Sequence, residues 1–510
     1  MIRHRLFTIM ATLDLTLILA IVSTSHTQEV PAQQQGMEVL ARGPVHEAFA
    51  LPTDTQPKPG PVIPKQPPEA IEELPPDQKP EGDNVQWIPG YWAWDEEAND
   101  FLWVSGCWRA PPPGRRWMPG HWQEIDSGWI WVSGFWATAN LQEVQYLPPP
   151  PPTLDSGPSA AAPDSNSFYA PGCWVYRENR YMWRPGHWVA YQPHWVWIPA
   201  HYVWTPTGCL FIDDYWDHPL DECGLLFAPV RFNLAVWGGA RRPFVPSFVV
   251  HADFLIGSLF VHSPSRHYFF GDYFEPAYAK RGFVAWTDYH PSPGAYDPAF
   301  GYYRHLHGAD PQWEGALKDL YRARAAGEVP RPPRTLVQQT QIIQNITNNK
   351  TTNIAVSKNI NLTNVQNVTA LAPLKEIHNT QINNLSSLSK AKEQKIAPTV
   401  VKLAPVPKDV HLQEQKMAKQ VQDLGKQRHD NEAKMLLKGH IPVKHTDPPA
   451  PAKLTLPKQP APAVNPPPAI RNPPAAVVVP KHEEKAIPKY EPPKPPAPPK
   501  KKDKDKDKKG

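Results

Sequence analysis

Seven short aromatic motifs along the chain share one variable slot, the residue just before their second aromatic. The slots hold Tyr91, Cys107, His121, Phe135, Cys173, His187 and His201. Five of the seven are Cys or His, the side chains that bind zinc or copper. A metal centre would need neighbouring strands to bring these slots together. Yet His, Tyr and Phe also interchange on a half-buried aromatic face, and antiparallel neighbours need not align equivalent slots. The aromatic face is the stronger reading, and no metal or other cofactor is expected.

Carboxylates beside flat rings suggest a second chemistry. Rings stack on the apolar faces of pyranose sugars while carboxylates accept their hydroxyls. The stretch FIDDYWD places Asp213, Asp214 and Asp217 beside Tyr215 and Trp216. Adjacent Asp213 and Asp214 cannot both face one side of a strand, so they make a poor glycosidase dyad. The candidate binding residues are therefore aromatic ones with one acid: Trp87, Trp92, Trp103, Trp108, Trp117, Trp122, Asp214 and Trp216. Nucleophilic catalysis has no foothold, because the chain has no G-x-S-x-G and no phosphate-binding glycine loop. No catalytic residue is assigned, and the chain reads as a non-enzyme.

The elements that must position these residues follow from the motif W-x-[PS]-G-x-W. Full copies start at Trp87, Trp103, Trp117, Trp131 and Trp183, and degenerate ones at Tyr169 (YAPGCW) and Trp197 (WIPAHY). Starts are 16, 14 and 14 residues apart in the first block, and 14 and 14 after the break YLPPPPP. A fixed period marks a repeat architecture, and fourteen residues suit one strand plus a short turn. Pro89-Gly90 has two placements. At a hairpin tip it would set Trp87 against Trp92, but L-Pro then Gly is a type II turn, whose twist splays strands. Mid-strand it would be a bulge that returns Trp87 and Trp92 to one face. The bulge is favoured, because turn chemistry is better at 95–100, 110–115 and 126–128. A Trp-rich antiparallel β-meander follows.

Segments 85–140 and 168–204 are the two repeat blocks, separated by a Pro-rich break at 141–167. Residues 205–330 carry further strand-like runs and end in one helix. Asp310 can cap it, Pro311 suits its first turn, Gly327 ends it, and Trp313, Leu317, Leu320 and Tyr321 form its apolar stripe. Residues 331–400 are rich in Asn and Thr, and 401–440 can form a helix. Pro is 66 of 510 residues, far above ordinary usage, and is concentrated outside the repeats. Residues 26–84 are thus expected as a Pro-rich linker and 441–510 as a disordered Pro/Lys-rich tail. The fold class is mainly β, with long disordered Pro-rich arms.

Compartment follows from the N-terminus. MIRHR, the apolar run Leu6 to Val22 and small residues near Ser25 read as a signal peptide over 1–25, with no membrane span left after cleavage. Export would place Cys107, Cys173, Cys209 and Cys223 where disulfides form; of the three possible pairings, Cys107 with Cys173 and Cys209 with Cys223 is favoured, and four free buried thiols are the alternative. The net charge is +4, and Lys500 to Lys509 alone supply it with seven Lys and three Asp. A near-neutral body of this kind is not a specific nucleic-acid binder.

The seven phased copies resemble the WXXGXW (also YXWGXW) repeat family of bacterial exported proteins, over about 87–204. The resemblance implies a periplasmic, envelope or extracellular location, with no established catalytic activity or cofactor. It supplies no functional residues. The expected function is an exported structural or scaffold protein of the cell envelope. The alternative is a module binding carbohydrate or cell-wall polymer through exposed Trp and Tyr. Envelope polysaccharide or other envelope proteins are the expected partners. Burial of the Trp separates the two: sealed rings make a wall, and an open row makes a ligand platform.

Overall fold

The computed structural model describes residues 36–82, 84–238, 242–348, 353–357, 360–363, 367–379, 402–439, 442 and 447–453. The expected signal peptide and the Lys-rich C-terminal tail lie outside the described residues.

The repeats fold as four β-hairpins. In the first, strands Gln86–Ile88 and Tyr91–Asp95 run out, and Asp100–Val104 and Cys107–Arg109 return. Trp87 stands opposite Trp108 and Trp92 opposite Trp103. The second hairpin sets Trp117 opposite Trp136 and Trp122 opposite Trp131. The third sets Tyr169 opposite Trp188 and Trp174 opposite Trp183. The fourth sets Trp197 opposite Trp216 and Tyr202 opposite Phe211. All eight pairs touch ring to ring, with centroids 4.8–5.7 Å apart, mostly edge to face. Cross-strand aromatic pairs of this geometry are worth ~0.5–1 kcal/mol each beyond their burial.

This register corrects the bulge. The Pro-Gly pair does lie mid-strand, and the tips fall at the expected turns. But the register is the same on both sides of the pair, so no residue is inserted. Pro89 and Gly90 face Ser105 and Gly106, and both strands leave the ladder together. The hairpin is broken symmetrically rather than bulged. The third tip, Glu178 and Asn179, has φ of 52° and 58°, as a tight two-residue hairpin turn requires.

The fourth hairpin also extends the repeat. Phe211 begins fourteen residues after Trp197, and FIDDYW occupies the place of WVSGFW in the second hairpin. An eighth, degenerate copy thus lies inside the 205–330 segment.

Around the hairpins the sheets are small and antiparallel. Met37–Val39 and Val230–Phe232 extend one end of the first hairpin, and Gly224–Leu226 the other. The largest apolar cluster among the described residues is drawn mainly from 205–330, joined by Ala41, Val45, Ala48 and Phe49, and beside it lies a sheet of Gly43–Pro44, His267–Phe270, Leu259–His262 and Phe283–Ala285. The helix Trp313–Ala326 buries Trp313, Leu317, Leu320 and Tyr321 and stops at left-handed Gly327. A second helix, Pro298–Leu306, opens on Asp297, whose side chain accepts Phe300 N–H at 3.0 Å. No described helix is long and apolar enough to cross a membrane.

Both flanks depart from the expected arms. Between 36 and 82 the chain is woven into the body: Ala41, Val45, His46, Glu47, Ala48 and Phe49 are buried, as is Glu73. Proline suits this path, because an extended segment lying against hairpin faces needs few ladder hydrogen bonds. Part of the Asn/Thr-rich segment is helical, at Leu336–Asn348. Residues Ala450–Lys453 of the expected tail pair with Glu143–Tyr146. The expected 401–440 helix is a single helix, Lys408–Lys438, closed by left-handed Gly439.

Candidate functional site

The four breaks are where the repeat places its polar chemistry. In the first hairpin an added Cβ on Gly90 would lie 2.2 Å from Val104 O, and one on Gly106 2.5 Å from Ile88 O. Neither glycine has a positive φ. Glycine is required here by close approach of strand and indole, not by backbone handedness.

A break leaves N–H groups without a ladder partner, and burying them unpaired would be costly. Glu73 supplies the acceptor. Its carboxylate accepts Gly90 N–H at 2.7 Å, Gly106 N–H at 3.0 Å and Trp103 Nε1–H at 3.1 Å. Burial pushes the Glu73 carboxyl up to about 7, against the pull of the three N–H donors. Glu72 and Leu74 flank it with backbone hydrogen bonds to Phe244, which fix its height in the break.

The second break repeats the device with another acid. Glu47 accepts Gly134 N–H at 2.9 Å and Trp131 Nε1–H at 2.7 Å. His267 Nε2 also lies 2.6 Å from Glu47. Burial raises the Glu47 carboxyl, but His267, Trp131 and Gly134 outweigh it and hold it below the usual range. Here Arg428 Nη1 donates to Pro119 O at 3.1 Å and Ser133 O at 2.9 Å, so carbonyls freed by the break are also satisfied. Glu432 balances Arg428 at 2.8 Å and accepts the Tyr146 hydroxyl at 2.8 Å.

The other two breaks vary the theme. In the third, Tyr169 replaces a Trp; its hydroxyl lies against Gly186 and donates to Asp155 at 2.5 Å. In the fourth, Asp213 and Asp214 are themselves the break residues. Arg184 reaches Asp214 at 3.1 Å and Asp213 at 3.4 Å, and Arg115 donates to both backbone carbonyls. Burial, with Asp213 adding to it and Arg184 opposing it, raises the Asp214 carboxyl. Ala200 replaces a Gly where Phe211 replaces the covering Trp, and the smaller ring leaves space for a methyl.

The candidate residues named from sequence fall into this scheme. Trp87, Trp92, Trp103, Trp108, Trp117 and Trp216 are buried, and Trp122 is half-buried with its Nε1–H donated to Trp92 O at 2.9 Å. All twenty Trp are described, and none is exposed. Asp217, beyond the candidate set, forms a buried pair with Arg109 at 2.5 Å.

The variable slot serves packing between elements. Tyr91 stacks on Trp131 of the next hairpin at 4.8 Å. Phe135 lies under the Arg428 guanidinium, 5.1 Å from it. Burial holds His201 down at about 4, and burial with Arg428 and His429 holds His121 well below the usual histidine range. Among the described residues, no three His, Cys, Asp or Glu side chains are grouped to hold a metal ion.

The expected disulfides are corrected. All four cysteines are free and buried. Cys107 and Cys173 share a repeat slot, but they lie on different hairpins in different apolar clusters; Cys209 lies on the fourth hairpin and Cys223 just before the strand Gly224–Leu226, again in different clusters. Equivalence in the repeat does not bring side chains together. Burial pushes the Cys209 and Cys223 thiols up to about 12.

Sequence reasoning missed Glu47, Glu73, Asp155, Arg428 and Glu432. They lie in stretches that read as linker, break or polar helix. Their signal is structural: each answers a group that a hairpin break leaves unpaired or, for Glu432, the charge of the residue that does.

The family described as WXXGXW repeat (2 copies) matches residues 82–109, 114–137 and 168–189. These three matches coincide with the first three hairpins. No curated protein and no solved structure matches the chain. Residues 82–109, 114–137 and 168–189 are therefore WXXGXW repeats.

Proposed function

We propose that the chain is a non-enzymatic scaffold protein, exported to the cell envelope. The observation that carries this reading is the direction of the aromatic pairs. All eight spend their rings on each other and on the surrounding core. The acids at the breaks are likewise occupied by the chain's own donors, which leaves Glu73 and Glu47 no approach from solvent. Such a body resists deformation, because the first two hairpins are tied at their middles to segments distant in sequence. Export rests on the basic start and apolar run of residues 1–25.

Fractionation of the producing cell tests the reading. The expected result is a chain in the envelope or medium whose N-terminus begins near Ser25. A cytoplasmic chain retaining Met1 would contradict it.

A further inference from the structure

Beyond the scaffold role, one region of the repeat body is built differently. In the first two hairpins the outer Trp pairs are sealed. Around the third and fourth, Trp188, Trp195 and Trp197 are only half-buried, and all three line one cleft of about 540 Å³. That lies within the range of sites for small organic ligands, roughly 300–1,000 Å³. The neighbouring cavities are about 100 Å³ each.

The opposite wall is the helix Pro298–Leu306 and the start of the helix Trp313–Ala326. It contributes Tyr302, Arg304 and Glu314. The rings are fixed before any ligand arrives. Trp188 donates Nε1–H to Ala160 O at 3.2 Å, and Trp195 packs on His218 at 4.8 Å. Tyr191 stacks flat on His305 at 4.0 Å and donates its hydroxyl to Gly301 O at 3.0 Å. Preorganised rings of this kind bind with little ordering cost.

The polar groups set the ligand class. Asp164, Asp310 and Glu314 line the cleft beside one guanidinium, Arg304, which Glu314 holds at 2.7 Å. Asp297 is spent on Tyr268 and Phe300. An anionic ligand would meet an acidic rim. These acids also hold chain donors, Lys318 on Glu314 at 2.8 Å and Ser167 on Asp164 at 2.7 Å, so a neutral polyhydroxyl ligand would use their remaining lone pairs for its hydroxyls and the flat rings for its C–H faces. We propose that this cleft binds a neutral oligosaccharide, held between Trp188, Trp195 and Trp197 with Glu314 and Arg304 at the rim.

Titration calorimetry of the full chain with cellotetraose, maltotetraose and N-acetylated chitotetraose tests this, with polygalacturonate as the anionic comparison. The expected result is saturable binding of at least one neutral sugar, weakened at least tenfold by Trp195→Ala and by Glu314→Gln. Both positions are partly solvent-facing, so thermal unfolding of the variants checks that the fold is kept. Failure of all three neutral sugars overturns the proposal. So does wild-type affinity in both variants, or binding of polygalacturonate alone. None of these results bears on the sealed pairs of the first two hairpins, so the scaffold reading stands or falls separately.

Discussion

Glu73 Oε1 lies 3.1 Å from Trp103 Nε1, joining a Pro-rich segment to the centre of the first hairpin. The same carboxylate accepts the N–H of Gly90 and Gly106, one from each strand of the break. In the first two hairpins the W-x-x-G-x-W break therefore takes a carboxylate from outside its own repeat. The glycine makes the close approach, the indole covers it, and the acid pairs what the approach leaves unpaired.

Glu73 and Glu47 should respond to pH in opposite directions. Glu73 is raised from 4.5 to about 7, so its stabilising contribution is complete below 4.5 and is lost as pH rises through about 7. Glu47 is lowered, so its contribution is present above 4.5 and is lost as pH falls through its folded value. Thermal unfolding of Glu73→Gln against wild type should show the variant gaining with pH between 4.5 and 7, by up to roughly 3 kcal/mol. Glu47→Gln should lose most at neutral pH and approach wild type in acid. Parallel profiles for the two variants would refute the assignment.

Removing the Glu73 carboxylate outright should be worse than neutralising it. Glu73→Ala leaves three buried N–H donors without an acceptor, a cost of about 3 kcal/mol or more. Chemical denaturation measures it, and a loss under about 1 kcal/mol would mean the break does not need its acid.

The glycines of the break should be intolerant and a helical glycine the reverse. A Cβ on Gly90 or Gly106 collides with backbone oxygen, so either change to Ala should cost about 2–4 kcal/mol. Gly315 sits in the helix Trp313–Ala326, with nothing within 4 Å of an added Cβ. Gly315→Ala should stabilise by about 0.5–1 kcal/mol. Equal effects at all three positions, read from denaturant midpoints, would contradict the close-approach argument.

The helix Lys408–Lys438 acts as a strap across two hairpins. Glu414 accepts Trp87 N–H at 3.0 Å in the first, and Arg428 reaches Pro119 and Ser133 in the second. Arg428→Ala leaves Glu432 buried without its cation and should cost about 3–5 kcal/mol. Limited proteolysis should then release the helix before the hairpins are cut, whereas Lys426→Ala, at an exposed position, should leave the pattern unchanged.

The four thiols should be protected and unpaired. Alkylation of the native chain should leave Cys107, Cys173, Cys209 and Cys223 unmodified, and denaturation without reductant should give four labels by mass. Two labels or none after denaturation would establish a disulfide.

What was legible in the sequence is what a short period encodes. Trp87 to Trp216 marked strands and turns, because hairpin tips are local relationships, whereas the pairing of Trp87 with Trp108 and Trp92 with Trp103 followed from a register the bulge reading did not give. The helix at Trp313 showed its stripe and its Gly327 stop. Asp297-Pro298 also carried a cap-and-first-turn signal for the helix Pro298–Leu306, but it lay inside a run rich in Pro and aromatics. The eighth copy was hidden because Phe211 replaces Trp and Asp214 replaces Gly. The long-range ties were not legible. Glu73 sits among prolines that read as linker. The buried face of the C-terminal helix is Glu414, Ala418, Leu424, Gly425, Arg428 and Glu432, a helical spacing that hydropathy cannot see because half of it is charged. Such residues are placed by the groups they satisfy, and those groups appear only once the hairpins exist.

The central claim is that the tryptophans are wall rather than platform. Acrylamide quenching of the folded full chain, compared with the same chain in denaturant, tests it most directly. The account predicts that folding protects most of the indole emission, with the accessible remainder assigned by Trp→Phe changes to the half-buried rings, Trp188, Trp195 and Trp197 among them. Quenching of the folded chain as complete as that of the unfolded one would contradict it, as would an accessible fraction that maps to Trp87, Trp103, Trp108 or Trp117.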